Sequence, residues 1–131
     1  MNTSYLSIDC NQTGKKLEKY IFSRDLDGLK SFSSNLSTKI QAISEIIIRL
    51  GGEVYVAAGD NIIGKIDYSE IDNIIIYINS LITEGIVFST GISSDVIGAY
   101  LALKYAKASG GLPVVIYENG EFREYKGTIA N

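Results

Sequence analysis

Glu53-Val54-Tyr55-Val56-Ala57-Ala58-Gly59-Asp60-Asn61-Ile62-Ile63 sets two apolar, β-rich runs on either side of Gly59-Asp60-Asn61. Glycine and asparagine accept the positive φ of a tight turn, so the stretch reads as an antiparallel hairpin with its tip at Asp60. Immediately before it, Gly51-Gly52 closes an amphipathic helix in which Leu36, Ile40, Ile43, Ile47 and Leu50 recur at spacings of four, three, four and three. After it, Ile71, Ile74, Ile75, Ile78 and Ile82 keep helical period as far as Gly85. A hairpin between two helices is the middle of a β-α-β-β-α-β chain. The outer strands are Tyr5-Leu6-Ser7-Ile8, emptying into Asp9-Cys10-Asn11, and Ile86-Val87-Phe88-Ser89. The expected fold class is therefore α+β and ferredoxin-like, an antiparallel sheet with its helices on one face and its first and third strands paired centrally.

The remaining segments attach to that core. Thr13, placed to cap, and Gly14 precede a short helix with Leu17, Tyr20 and Ile21 on one face. Ser23 to Ser34, with Asp25, Asp27, Gly28 and several serines, reads as a loop with at most a turn of helix. Ser93-Ser94-Asp95 supplies the cap of a further helix whose apolar face is Val96, Ala99, Tyr100, Leu103 and Ala106, ended by Gly110-Gly111. Pro113 to Tyr117 and Phe122 to Tyr125, joined through Asn119-Gly120, form a C-terminal hairpin. Residues 1–131 are expected to make one domain, because a chain of 131 residues with 46% hydrophobic content supports one core and has no room for two catalytic domains.

Composition narrows the chemistry. The absence of His removes any imidazole base, His-ligated zinc or Ser-His-Asp triad from this chain, and the lone Cys10 removes an internal disulfide and a thiolate cluster. A net charge of −3 argues against coating nucleic acid, which needs a broad basic face, so an anionic ligand must be small and held locally. The longest apolar run, Ile74-Ile75-Ile76-Tyr77-Ile78, is far short of a membrane span, and a cytoplasmic protein is expected.

In a ferredoxin-like sheet the end of the first strand and the tip of the central hairpin meet at one edge, which brings Asp9 and Asp60 side by side. Two carboxylates converging from separate strands suit a pair of hard cations held roughly 3.5–4 Å apart by oxygen ligands. As single residues both are also ordinary strand-end and turn choices. Gly59, and Gly14 at a helix N-terminus, leave space for a phosphate to approach the backbone. Lys104 and Lys107 share a helix face and are placed to clamp a triphosphate; complementing the helix dipole is the plainer role, especially for Lys104. Ser89-Thr90-Gly91 and Ser33-Ser34 suit either a nucleobase pocket or turn and cap chemistry.

Three motifs in order resemble the palm-domain nucleotidyl cyclases, most closely the minimal CRISPR polymerases, relatives of the polymerase subunit of type III CRISPR complexes. Tyr5-Leu6-Ser7-Ile8-Asp9 with Gly14 resembles the first metal motif, and Gly51 through Asn61 the second. Phe88 to Ile92 and Ala99 to Gly110 are similar to the third, a block shared with GGDEF diguanylate cyclases. The resemblance implies a palm whose Asp9 and Asp60, with the main-chain carbonyl of Cys10, bind Mg²⁺ or Mn²⁺. It further implies that Lys107 and Lys104 hold phosphate and that Asn11, Gly14, Gly59 and Asn61 line the nucleotide site. The implied activity is synthesis of a cyclic dinucleotide or short cyclic oligoadenylate from ATP, a second messenger in bacterial anti-phage defence. A homodimer and a separate effector, a membrane protein, are the partners it implies. The second motif departs from the family: Ala58-Gly59-Asp60-Asn61 lacks one carboxylate, and Asn11 stands where many relatives are acidic. That departure keeps open a catalytically silent nucleotide-binding sensor or scaffold with a degenerate palm site.

Overall fold

The structure is a computed structural model that describes residues 1–83 and 85–127. In chain order the elements are β1 (Thr3–Cys10), α1 (Thr13–Phe22), α2 (Leu26–Arg49), β2 (Glu53–Ala58), β3 (Asn61–Asp67), α3 (Ile71–Ser80), β4 (Phe88–Ser93), α4 (Val96–Ala108), β5 (Val114–Glu118) and β6 (Glu121–Glu124). One six-stranded sheet runs β2-β3-β1-β4-β5-β6. Its first four strands have the ferredoxin-like order, with β1 central and antiparallel to both β3 and β4. Beyond them β5 joins β4 in parallel, so the C-terminal hairpin makes the sheet mixed.

Alternation along β1 decides which face does what. Leu6, Ile8 and Cys10 point into the main core, where they meet Ile62, Ile66, Phe88, Ile92, Val114 and Ile116 from the other strands. α2 covers that face with Phe32, Leu36, Ile40, Ile43 and Ile47, and α3 adds Ile71, Ile74 and Ile78. Ser7 and Asp9 point the other way. α4 lies on that second face, where Ala102 and Ala106 pack against Val115 in a separate small cluster. The helix sits close because the strands beneath it carry almost no side chain: a Cβ on Gly91 would come 2.2 Å from the Ala99 carbonyl oxygen and 2.4 Å from the Leu103 nitrogen.

Several local expectations are corrected. The expected loop from Ser23 to Ser34 is largely helix, since α2 begins at Leu26. The Asp25 side chain accepts from the Gly28 N–H at 2.8 Å, and the apolar stripe already includes Phe32. Thr13 does not cap α1. Gln12 occupies the cap position in a left-handed conformation, while the Thr13 hydroxyl donates to the Cys10 carbonyl at 3.4 Å. The fourth strand is shifted to Phe88–Ser93, and Ile86 instead bridges to Thr83. Glycine and serine lowered its β signal, yet small residues are what the close approach of α4 requires. On α4, Asp95 caps as expected, but Val96 and Tyr100 are exposed, and Gly98 and Ala102 take the buried positions.

Candidate active site

The site grows from one register. Asp9 of β1 pairs with Asn61 of β3, and the Cys10 N–H donates to the Asp60 carbonyl at 3.0 Å, so main-chain bonds fix the β1 end against the hairpin tip. Gly59 makes that tip possible, with φ at +63° where a side chain would be strained. Asp9 is thereby set on the α4 side of the sheet, next to Asp60.

Lys107, in the last turn of α4, reaches down to this point. Its ammonium donates to Asp9 Oδ2 at 2.9 Å and to the Cys10 carbonyl at 3.3 Å. The other carboxylate oxygen, Asp9 Oδ1, is buried and has no hydrogen-bond partner. Burial raises the Asp9 pKa above its ordinary value; Asp60 beside it adds to the rise, and Lys107 opposes it. A carboxylate with one unsatisfied oxygen, next to a second carboxylate, is an arrangement that a hard cation completes, and the Cys10 carbonyl adds a further oxygen. Among the described residues no group of three or more His, Cys, Asp or Glu gathers, so further ligands to such an ion must come from main-chain or substrate oxygens.

The raised pKa has a thermodynamic sign. The folded state favours the neutral carboxyl, so the Asp9 contribution to stability is fully present below the unfolded value of 3.8 and is lost as pH rises through the higher folded value. Asp9→Asn is therefore expected to melt at a higher temperature than the unaltered protein near pH 7 without divalent ions, and the difference should close as pH falls below the unfolded value. Thermal melts over that range check both halves of the expectation.

Two hollows flank the carboxylates. A cleft of about 560 Å³ is lined by Asn11, Gln12, Lys16, Lys107, Gly110 and Gly111. A smaller one of about 320 Å³ lies between α1, α2 and the hairpin tip, with Gly14, Ser33, Ser37, Gly59 and Asp60 in its wall. Asn11 is held in place by the buried Ser89 hydroxyl, 3.0 Å from Asn11 Oδ1 and 2.8 Å from the Leu112 carbonyl. Ser89 thus positions a cleft residue, whereas Ser33 lines the smaller hollow itself. The structure brings together Asp9, Cys10, Asn11, Asp60, Asn61 and Lys107, with Gly14 and Gly59 in the adjoining wall. Lys104 stands apart: it is exposed on α4, its ammonium 5.1 Å from the centre of the Tyr100 ring. Lys16 and the Gly110-Gly111 backbone were not singled out from the sequence as site residues. A signal for Lys16 was there, because a lysine in the first turn of a helix opposes the dipole and calls for another reason.

The sequence model of the minimal CRISPR polymerase (mCpol) domain matches residues 5–117, which include every one of these residues. The chain belongs to the mCpol family. Among curated proteins nothing matches this mCpol chain. Among solved structures it is similar to a diguanylate cyclase/phosphodiesterase from Caldicellulosiruptor saccharolyticus, at 17% identity with a TM-score of 0.61, covering 94% of this chain and 80% of that one. At that identity the likeness speaks for the fold alone. The mCpol chain is thus a polymerase-like palm of the nucleotidyltransferase type. Among its described residues no helix is long and apolar enough to cross a membrane.

Proposed function

We propose that this mCpol protein is a metal-dependent nucleotidyltransferase that joins nucleotides, ATP first among them, into a cyclic dinucleotide or short cyclic oligoadenylate. The observation that supports it is the meeting of Asp9, Asp60 and Lys107 beside two hollows, with Asp9 Oδ1 buried and unbonded. Asp9, Asp60 and the Cys10 carbonyl hold Mg²⁺ or Mn²⁺. When bound, such an ion lowers the pKa of an attacking ribose hydroxyl and offsets charge on the pyrophosphate leaving group, which dispenses with an imidazole base. The protein's own part is mostly positioning and electrostatics. Lys107 and Lys16 present positive charge to phosphate in the larger cleft. Gly14 stands in the first turn of α1, where backbone N–H groups have no partner within the helix, and no neighbour stands within 4 Å of where its Cβ would be. Asn11, fixed by Ser89, and Asn61, opposite Asp9, contribute neutral amides to the nucleotide. Lys104 serves the phosphates only by leaving Tyr100.

Each palm holds one nucleotide well, so joining two calls for a homodimer. In this reading the product serves bacterial anti-phage defence, is made in the cytoplasm and acts on a separate membrane effector; membership of the family supports that reading. Asn61 and Asn11 favour one competing reading, a silent sensor that binds a nucleotide without turning it over. Incubating the protein with each common nucleoside triphosphate, with Mg²⁺ and then Mn²⁺, and identifying products by mass spectrometry separates the two. A cyclic product lost in Asp60→Ala supports the synthase; intact triphosphates together with a raised melting temperature support the sensor.

A further inference from the structure

The ammonium of Lys107 occupies the ground that the proposed function gives to a divalent ion. It takes Asp9 Oδ2 at 2.9 Å and the Cys10 carbonyl at 3.3 Å, two of the oxygens such an ion would use. An ammonium and a hard divalent cation seek the same oxygen donors and repel each other, so they cannot share this pair at contact distance. We propose that Lys107 is the resident cation of the ligand-free protein, and that a divalent ion is admitted to Asp9 only when a triphosphate draws Lys107 away. Metal and nucleotide then enter together.

Lys107 has somewhere to go. Its side chain is about one-third exposed, at 32%, and it lines the larger cleft beside Lys16, Asn11, Gly110 and Gly111. The lysine stem is flexible, and a compact ammonium loses little geometric fit in exchanging a single carboxylate oxygen for the more highly charged oxygens of a triphosphate. The carboxylate it leaves is ready for a replacement: Asp9 Oδ1 already lies buried without a partner, so the lysine satisfies only half of the group. Because coupling between two ligands is reciprocal, a site that resists the ion without triphosphate must also bind triphosphate less well without the ion.

This inference rests on the reading of Asp9 and Cys10 as metal ligands, and Mn²⁺ titration of the full chain without any nucleotide, followed by electron paramagnetic resonance, tests the two separately. Lys107→Met is expected to bind Mn²⁺ at least about tenfold more tightly than the unaltered protein, whose own binding without nucleotide should be weak or undetectable. Equal or weaker binding by the variant overturns the resident-cation role while leaving the metal site standing; no binding by either protein overturns both. A second measurement needs no variant to fold. Acetylation of Lys107 in the unaltered protein, quantified by mass spectrometry, should be slow and unchanged by millimolar Mg²⁺ alone, and should change when Mg²⁺ is added with α,β-methylene-ATP. Release of Lys107 by Mg²⁺ alone overturns the role.

Discussion

Asp60→Ala is expected to lower product formation by about 10³-fold or more, while the melting temperature moves by no more than about 2 °C. The two halves separate because Asp60 serves through different atoms. Its carbonyl accepts the Cys10 N–H at 3.0 Å and holds the hairpin tip to β1, and alanine keeps that carbonyl. Its carboxylate supplies one of two negative charges to the proposed ion. With Asn61 neutral, the hairpin tip offers no other acid next to Asp60 to take over. A loss of three orders of magnitude corresponds to about 4 kcal/mol of transition-state stabilisation, a size consistent with removing a metal ligand. Product yield by mass spectrometry and a thermal melt on the same preparation check it. Undiminished yield would take Asp60 out of the reaction.

Gly91→Ala is expected to be the most damaging single change to the fold outside the main core, costing about 3 kcal/mol or more. The added Cβ would stand 2.2 Å from the Ala99 oxygen, 2.4 Å from the Leu103 nitrogen and 3.0 Å from the Ala102 carbonyl carbon. All three are backbone atoms of α4, so no rotamer change relieves the clash and the helix itself must lift. Lys107 is carried on that helix, and a shift of about an ångström weakens its 2.9 Å contact with Asp9. Urea unfolding should report the lost stability, and the acetylation rate of Lys107 should rise in parallel. A variant of unchanged stability would mean that α4 is free to retreat from the sheet.

Much of this was legible in the residues. The 53–63 hairpin and the isoleucine periods on either side of it state the order of the core, because one buried face imposes a period that survives any detail of packing. The convergence of Asp9 with Asp60 follows from that order, since pairing of the first and third strands leaves no other place for the hairpin tip. Three things were hidden by tertiary packing. The start of α2 was masked by serines and a glycine that read as loop, although Asp25 caps the helix and Phe32 begins its buried stripe. The extent of β4 was masked because Gly91 and Ser93 were chosen for the helix above them and not for strand propensity. The divergence of Lys104 from Lys107 was hidden because three residues on a helix amount to a rotation of about 60°, enough here to place one at Asp9 and the other over Tyr100.

The main-chain register that fixes Asp9 against the hairpin tip also bears on how such a protein changes over generations. The main chain at Asp9 is held against the hairpin tip by strand pairing and by the Cys10 N–H bond to the Asp60 carbonyl, contacts made through backbone atoms that another side chain at position 60 or 61 would keep. Those positions can therefore exchange acid for amide, and back, without asking the rest of the chain to refold. On the proposed reading, a frame of this kind sets synthase and sensor a single codon apart, with the same core beneath both.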